Sequence, residues 1–232
     1  MKKFGGFLAL IFLMCLLGHE RAHSQNIMLI PNSSGPSGGG GTTWNPLDAD
    51  PAITLSGGNL IATQNGAAFT WRAVRATSSY AVGTNHKVVA GITMSAYDNN
   101  LGWIGGLADS TMNLASFVGA SGNSWGWQLT VGAYHSGGVS YSNNCTGATL
   151  IVGSTLYYAV DFNTGKMWCS SDCTVWSGSP DGGTSQSGTL PASTAFFVAW
   201  SGDDYTAADA ATLNAVPNLA GCTNVSTFTT WN

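Results

Sequence analysis

Between Leu156 and Cys169 the chain alternates apolar and polar residues and then turns back on itself, and this stretch constrains the fold most. Leu156, Tyr158, Val160 and Phe162 fall on one side and Tyr157, Ala159 and Asp161 on the other. That is the period of a strand with one face more buried than its reverse. Asn163-Thr164-Gly165 supplies turn chemistry, and Lys166-Met167-Trp168 begins the returning strand. Further short β-rich segments, each bounded by Gly, Asn, Ser or Asp, run over 52–55, 59–63, 68–75, 86–95, 101–107, 124–134, 139–142, 175–177, 196–201 and 211–216. No window in this part of the chain carries a 3.6-residue apolar stripe, and no fixed repeat marks a propeller or solenoid. The pattern predicts an all-β fold, a two-sheet antiparallel sandwich, with short helical turns at 109–117 and 204–211 as decoration.

The chain opens as an export signal. Lys2-Lys3 is followed by an apolar run over 4–18, and Ala22-His23-Ser24 places small residues where a signal peptidase reads. The run is about 15 residues, short of the ~20 that span a bilayer. Cleavage after Ser24 leaves no stable membrane span, and the product is expected outside the cytoplasm, extracellular or periplasmic. Residues 25–43, rich in Gly, Ser and Pro, read as a flexible linker, and 44–232 as one folded domain. With 44% hydrophobic residues a chain of 232 can fill one core. Only 8% of residues are charged, and Arg72, Arg75, Lys87 and Lys166 are too few and too scattered to neutralise a phosphate backbone, so nucleic acid is not an expected partner.

Beyond the signal the cysteines are Cys145, Cys169, Cys173 and Cys222, an even number suited to an oxidising compartment. Three pairings are open. The favoured one joins Cys169 to Cys173 as a local clip and Cys145 to Cys222 as a long-range tie. Zinc is not expected, because the spacing lacks two paired Cys-x2-Cys units.

Three motifs resemble catalytic or metal-binding patterns. Gly122-Asn123-Ser124-Trp125-Gly126 matches the Gly-x-Ser-x-Gly of hydrolase nucleophiles, but that elbow needs a helix after the serine, and Trp127-Gln128-Leu129 reads as a strand. Glycoside hydrolysis wants two facing carboxyl groups. The only Glu, Glu20, lies in the signal, and the Asp residues form no alternating acid strand. Asp161 to Gly165 resembles the opening of a calcium loop, yet a plain hairpin turn explains it, so no cofactor is expected and calcium is not favoured. Most of the nine Trp should fill the core; Trp125 and Trp127 share a face, while Trp103 and Trp176, read as loop residues, are freer to be exposed.

Taken in order, Trp44-Asn45-Pro46, Ile53 to Leu60, Val74-Arg75-Ala76-Thr77, Leu101-Gly102, Ser124-Trp125-Gly126-Trp127, Ala159-Val160-Asp161-Phe162 and Gly165-Lys166-Met167-Trp168 resemble the landmarks of SPRY domains, especially bacterial and phage versions. The resemblance covers about 44–216. It implies a concanavalin-like jelly-roll sandwich that binds through its loops without catalysis. Where that family places an Asn-Gly turn, this chain has Ser170-Ser171-Asp172-Cys173, and the expected Cys169–Cys173 bridge would hold the turn instead. The sequence therefore describes a secreted, non-catalytic module recognising a glycan or a surface protein through sandwich loops, with Trp103, Asp109, Tyr134, His135, Trp176 and Asp203 as its candidate binding residues. The rival readings are a sandwich glucanase that cleaves glycans and a structural surface or appendage component.

Overall fold

The computed structural model describes residues 41–232 other than 66–68, 98–101, 129–133, 137–138, 142–144, 146–149, 185–186, 193 and 204–206. The expected signal, most of the linker, and Asp98 and Asp204 lie outside the described residues. What is described belongs to one unit, Gly39–Asn232.

In chain order the strands are β1 Trp44–Ala49, β2 Ile53–Ser56, β3 Ile61–Gln64, β4 Arg72–Ala81, β5 Lys87–Ala96, β6 Trp103–Ala108, β7 Ser124–Gln128, β8 Tyr134–Ser136, β9 Val139–Tyr141, β10 Thr155–Asp161, β11 Lys166–Ser170, β12 Gly188–Thr189, β13 Ala195–Gly202, β14 Ala210–Asn214 and β15 Thr229–Thr230. They form two sheets. One runs β1-β4-β13-β6-β7-β8-β9 and the other β12-β11-β10-β5-β14-β3-β2. The pairings are antiparallel except that β15 lies parallel to β5 at Val88 and Val89. Pro46 is tolerated in β1 because β1 is an edge strand, where a missing N–H breaks no ladder.

The opening hairpin forms as its alternation requires. Tyr158 pairs with Cys169 and Asp161 with Lys166, and Gly165 takes φ 73° in the turn between them. Leu156, Tyr158, Val160 and Phe162 all enter the core between the sheets. Six tryptophans, Trp44, Trp103, Trp127, Trp168, Trp200 and Trp231, are fully buried.

Three expectations fail for local reasons. Residues 109–117 make turns, not a helix, because Asp109 Oδ1 accepts from Thr111 N at 2.9 Å and Asn113 Oδ1 from Ala115 N at 3.0 Å; such side-chain turns compete with helical bonds. Ala210 and Ala211 continue β14 instead of closing a helical turn. Residues 175–177 are a loop, since Asp172 Oδ1 holds the N–H groups of Thr174 and Val175 at 2.8 and 2.9 Å.

The disulfides also differ from expectation: they are Cys145–Cys169 and Cys173–Cys222. The period of β11 is the reason. Met167 and Cys169 point into the core between the sheets, whereas Trp168 points to the outer face of the second sheet, where Cys173 also lies. A Cys169–Cys173 clip would have to pass through the sheet. The turn at 170–173 is held instead by Ser170 Oγ, which accepts from Cys173 N at 2.8 Å. Cys173 itself takes φ 64°, the left-handed conformation that glycine takes more readily.

On that outer face Val89, Ala159, Trp168, Cys173, Trp176, Val225 and Phe228 make a second apolar cluster. The C-terminal segment is strapped across it. Trp176 Nε1 donates to Thr223 O at 2.8 Å, and Asp181 accepts from the N–H and hydroxyl groups of Ser226 and Thr227 at 2.8–3.1 Å. Burial pushes the Asp181 carboxyl up, but these four bonds outweigh it and hold the group below its ordinary value. A depressed carboxyl contributes stability that is complete above its unfolded pKa of about 3.9 and is lost as pH falls through the folded value. Asp181→Asn is therefore less stable than the wild type at pH 7, with the gap closing toward pH 2; chemical denaturation midpoints at the two pH values check this.

Candidate binding end of the sandwich

Register decides which loops meet. Gly202 pairs with Arg72 and with Trp103, Ile104 with Gln128, Trp127 with Tyr134, and Ala210 with Ala96. The β3–β4, β5–β6, β7–β8 and β13–β14 connections therefore gather at one end. The turn before β10 joins them, tied to β5 by Gly153 N to Met94 O and Met94 N to Ser154 O at 2.8 and 2.9 Å.

The described part of this end has a polar base and an apolar rim. Thr70 N donates to Asp203 O at 3.2 Å, Gln64 Nε2 to Thr70 O at 2.8 Å, and Asp203 N to Asp209 Oδ2 at 3.3 Å. A Cβ on Gly102 would fall 1.8 Å from Asp203 Oδ1, so only glycine lets that carboxylate sit there. At the rim Phe69 is 66% exposed and takes φ 61°, a conformation uncommon for a bulky residue and held only where surroundings enforce it. Ile151 and Val152, 66% and 54% exposed, form the turn before β10, three strands along the second sheet from β3.

The sequence-derived candidates distribute unevenly. Trp103, Asp203 and Tyr134 come to this end, with His135 one residue along β8. Trp103 starts a strand and is 1% exposed, its Nε1 donating to Ala210 O at 3.2 Å, so it is not the free loop residue expected. Asp203 is buried as well. Trp176 is on a loop but 5% exposed beneath the strap. Asp109 lies at the opposite end, after β6, where burial pushes its carboxyl up but bonds from Thr111 and Asn123 outweigh that and lower it. Phe69, Ile151 and Val152 escaped the sequence reading. Phe69 was absorbed into a strand over 68–75, although isolated apolar residues among Gly, Ala and Asn were the available signal.

The chemistry of the other motifs is spent on structure. Ser124 is fully buried, its Oγ accepting from Gly119 N at 2.9 Å and donating to Ser121 O at 2.6 Å. Asp161 accepts from Asn163 N at 3.0 Å and pairs with Lys87 at 3.5 Å. Among the described residues no group of three or more His, Cys, Asp and Glu side chains is placed to hold a metal ion.

No family model matches the sequence, and no curated protein matches it. Solved structures do. The SPRY domain of human HERC1 superposes with a TM-score of 0.58 at 9% identity, over 74% of this chain and 96% of that one. A human SPRY domain superposes with a TM-score of 0.53 at 11% identity, over 72% and 98%. The protein folds as a SPRY-like β-sandwich. At such identity the likeness is one of fold.

Proposed function

We propose that this protein is a secreted, non-catalytic binding module that recognises another protein through the loop end described above. The carrying observation is an exposed apolar rim, Phe69 with Ile151 and Val152, mounted on a rigid sandwich. Exposed apolar and aromatic side chains set above fixed strands are what protein interfaces use as anchors. Trp103 and Asp203 act beneath the rim by fixing the loops. Two disulfides support an oxidising compartment, and no helix among the described residues is long and apolar enough to cross a membrane. Buried, hydrogen-bonded Ser124 supports a role without turnover.

A photo-crosslinking residue at position 69 or 151, introduced in the producing cells, is expected to give protein adducts in the exported fraction, with none from the same residue at exposed Ser79 on β4. Equal labelling from all three positions, or none from any, overturns the loop-end reading. Release of reducing sugar from glycans by the purified protein overturns the non-catalytic one.

A further inference from the structure

The outer face of the second sheet has two halves. The strap covers the one around Val89, Ala159 and Trp168. The other carries hydroxyls. Ile92, Met94, Leu156, Ala211, Leu213 and Ala62 point into the core, so alternation turns Thr93, Ser95, Thr155, Thr212 and Thr63 outward. Thr155 pairs with Thr93, Thr93 with Thr212, and Thr212 with Ile61, which makes one row with hydroxyls on three strands and Ile61 at its end. We propose that this hydroxyl-bearing half is a second binding surface, for a neutral polysaccharide laid across the strands, adjoining the loop end at Thr155, which follows the 151–154 turn.

Threonine is common on solvated strands, so composition alone decides nothing here. The arrangement does. Thr93 and Thr155 hydroxyls bond to each other at 2.7 Å, and Ser95 bonds to Thr212. Each such pair spends one donor internally and leaves one donor and further lone pairs for a ligand. Beside the row stands an aromatic ring: Tyr157 pairs with Gly91, and a Cβ there would lie 3.5 Å from Tyr157 Cδ1 and 2.8 Å from Thr155 Cγ2. The absent side chain leaves room for the half-buried ring, which packs against the strap-covered cluster and borders the row with an aromatic edge that a sugar could meet. Strands about 4.8 Å apart space the hydroxyl columns on the scale of one pyranose ring.

Charge selects the occupant. None of these outward positions is ionisable apart from the Tyr157 phenol, so polyanions and charged membranes find no counter-charge. A protein partner is disfavoured because interfaces deplete serine and binding hot spots under-represent Ser and Thr. An uncharged ligand that alternates hydroxyl donors and acceptors matches what the row offers.

The test is native affinity electrophoresis of the protein through gels containing hydroxyethylcellulose, xyloglucan or galactomannan, with alginate as the anionic control. At least one neutral polymer is expected to retard the protein while alginate does not. The double variant Thr93→Val, Thr212→Val keeps the side-chain shape, and should weaken retardation about tenfold, as loss of two neutral hydrogen bonds implies, with circular dichroism unchanged. Ser95→Glu, at an exposed position, should also abolish it, and serves if the double variant misfolds. No retardation by any neutral polymer, equal retardation by alginate, or full retention by folded variants overturns the proposal. Crosslinks from position 69 persist in these variants if the loop-end reading is right, so the two fail separately.

Discussion

Trp231→Ala is expected to lower the stability of the domain by about 3–5 kcal/mol, the range for emptying a large buried aromatic site. Trp231 is fully buried two residues after β15 begins, and it closes the end of the core. Its ring meets Tyr80 and Phe162 edge-on with centroids 5.2 and 5.5 Å away. Its Nε1 donates to Ser78 O and its backbone N to Val89 O, at 3.3 and 3.0 Å. Truncation therefore leaves a cavity, an unpaired carbonyl and a loosened β15. Urea denaturation measures the loss, and hydrogen exchange should rise at Val88 and Val89 beyond the rest of β5. Thr230→Ala, on the same strap but outside the core, is the control and should shift stability by no more than about 0.5 kcal/mol.

Arg75→Ala should cost about 3 kcal/mol, toward the low end for breaking a buried ion pair. The guanidinium grips Asp48 with both arms, Nε to Oδ2 at 2.7 Å and Nη2 to Oδ1 at 2.6 Å, while Nη1 donates to the carbonyls of Asp109 and Met112 at 3.0 Å each. Without it two carbonyls of the 109–123 loop lose their donor. Asp48 keeps 23% of its side chain exposed and so recovers part of its hydration, which argues for the lower figure. Arg75→Lys preserves charge without the planar fork and should restore only part of the loss. Denaturation midpoints give the energies, and limited proteolysis should show faster cleavage within 109–123 in Arg75→Ala.

Arg75 also illustrates what a sequence can convey. Val74-Arg75-Ala76-Thr77 reads in the sequence as part of a resemblance to SPRY domains, and the structure adds its work, joining β1 to the loop after β6. The strands were readable because alternation is a local property: Leu156 to Phe162 must form a two-faced strand wherever they are placed. The helical turns were misread because Asp109 and Asn113 bond their own backbone, an option that propensity does not weigh. Trp103 and Trp176 are of a residue type that serves equally well as core and as contact. Their burial depends on what covers them, which no local pattern contains.

The sequence by itself determined an all-β sandwich, the hairpin at 156–169, a buried tryptophan-rich core and four cysteines suited to oxidation, because period and composition act over a few residues. Only the tertiary structure decided which cysteines meet, which loops share an end and which half of the second sheet the C-terminal strap covers. Each of those depends on register between distant strands, and on the face to which a residue is turned. Cys169 and Cys173 stand four positions apart in the chain and on opposite faces of one sheet; their distance in space was never a function of their distance in sequence.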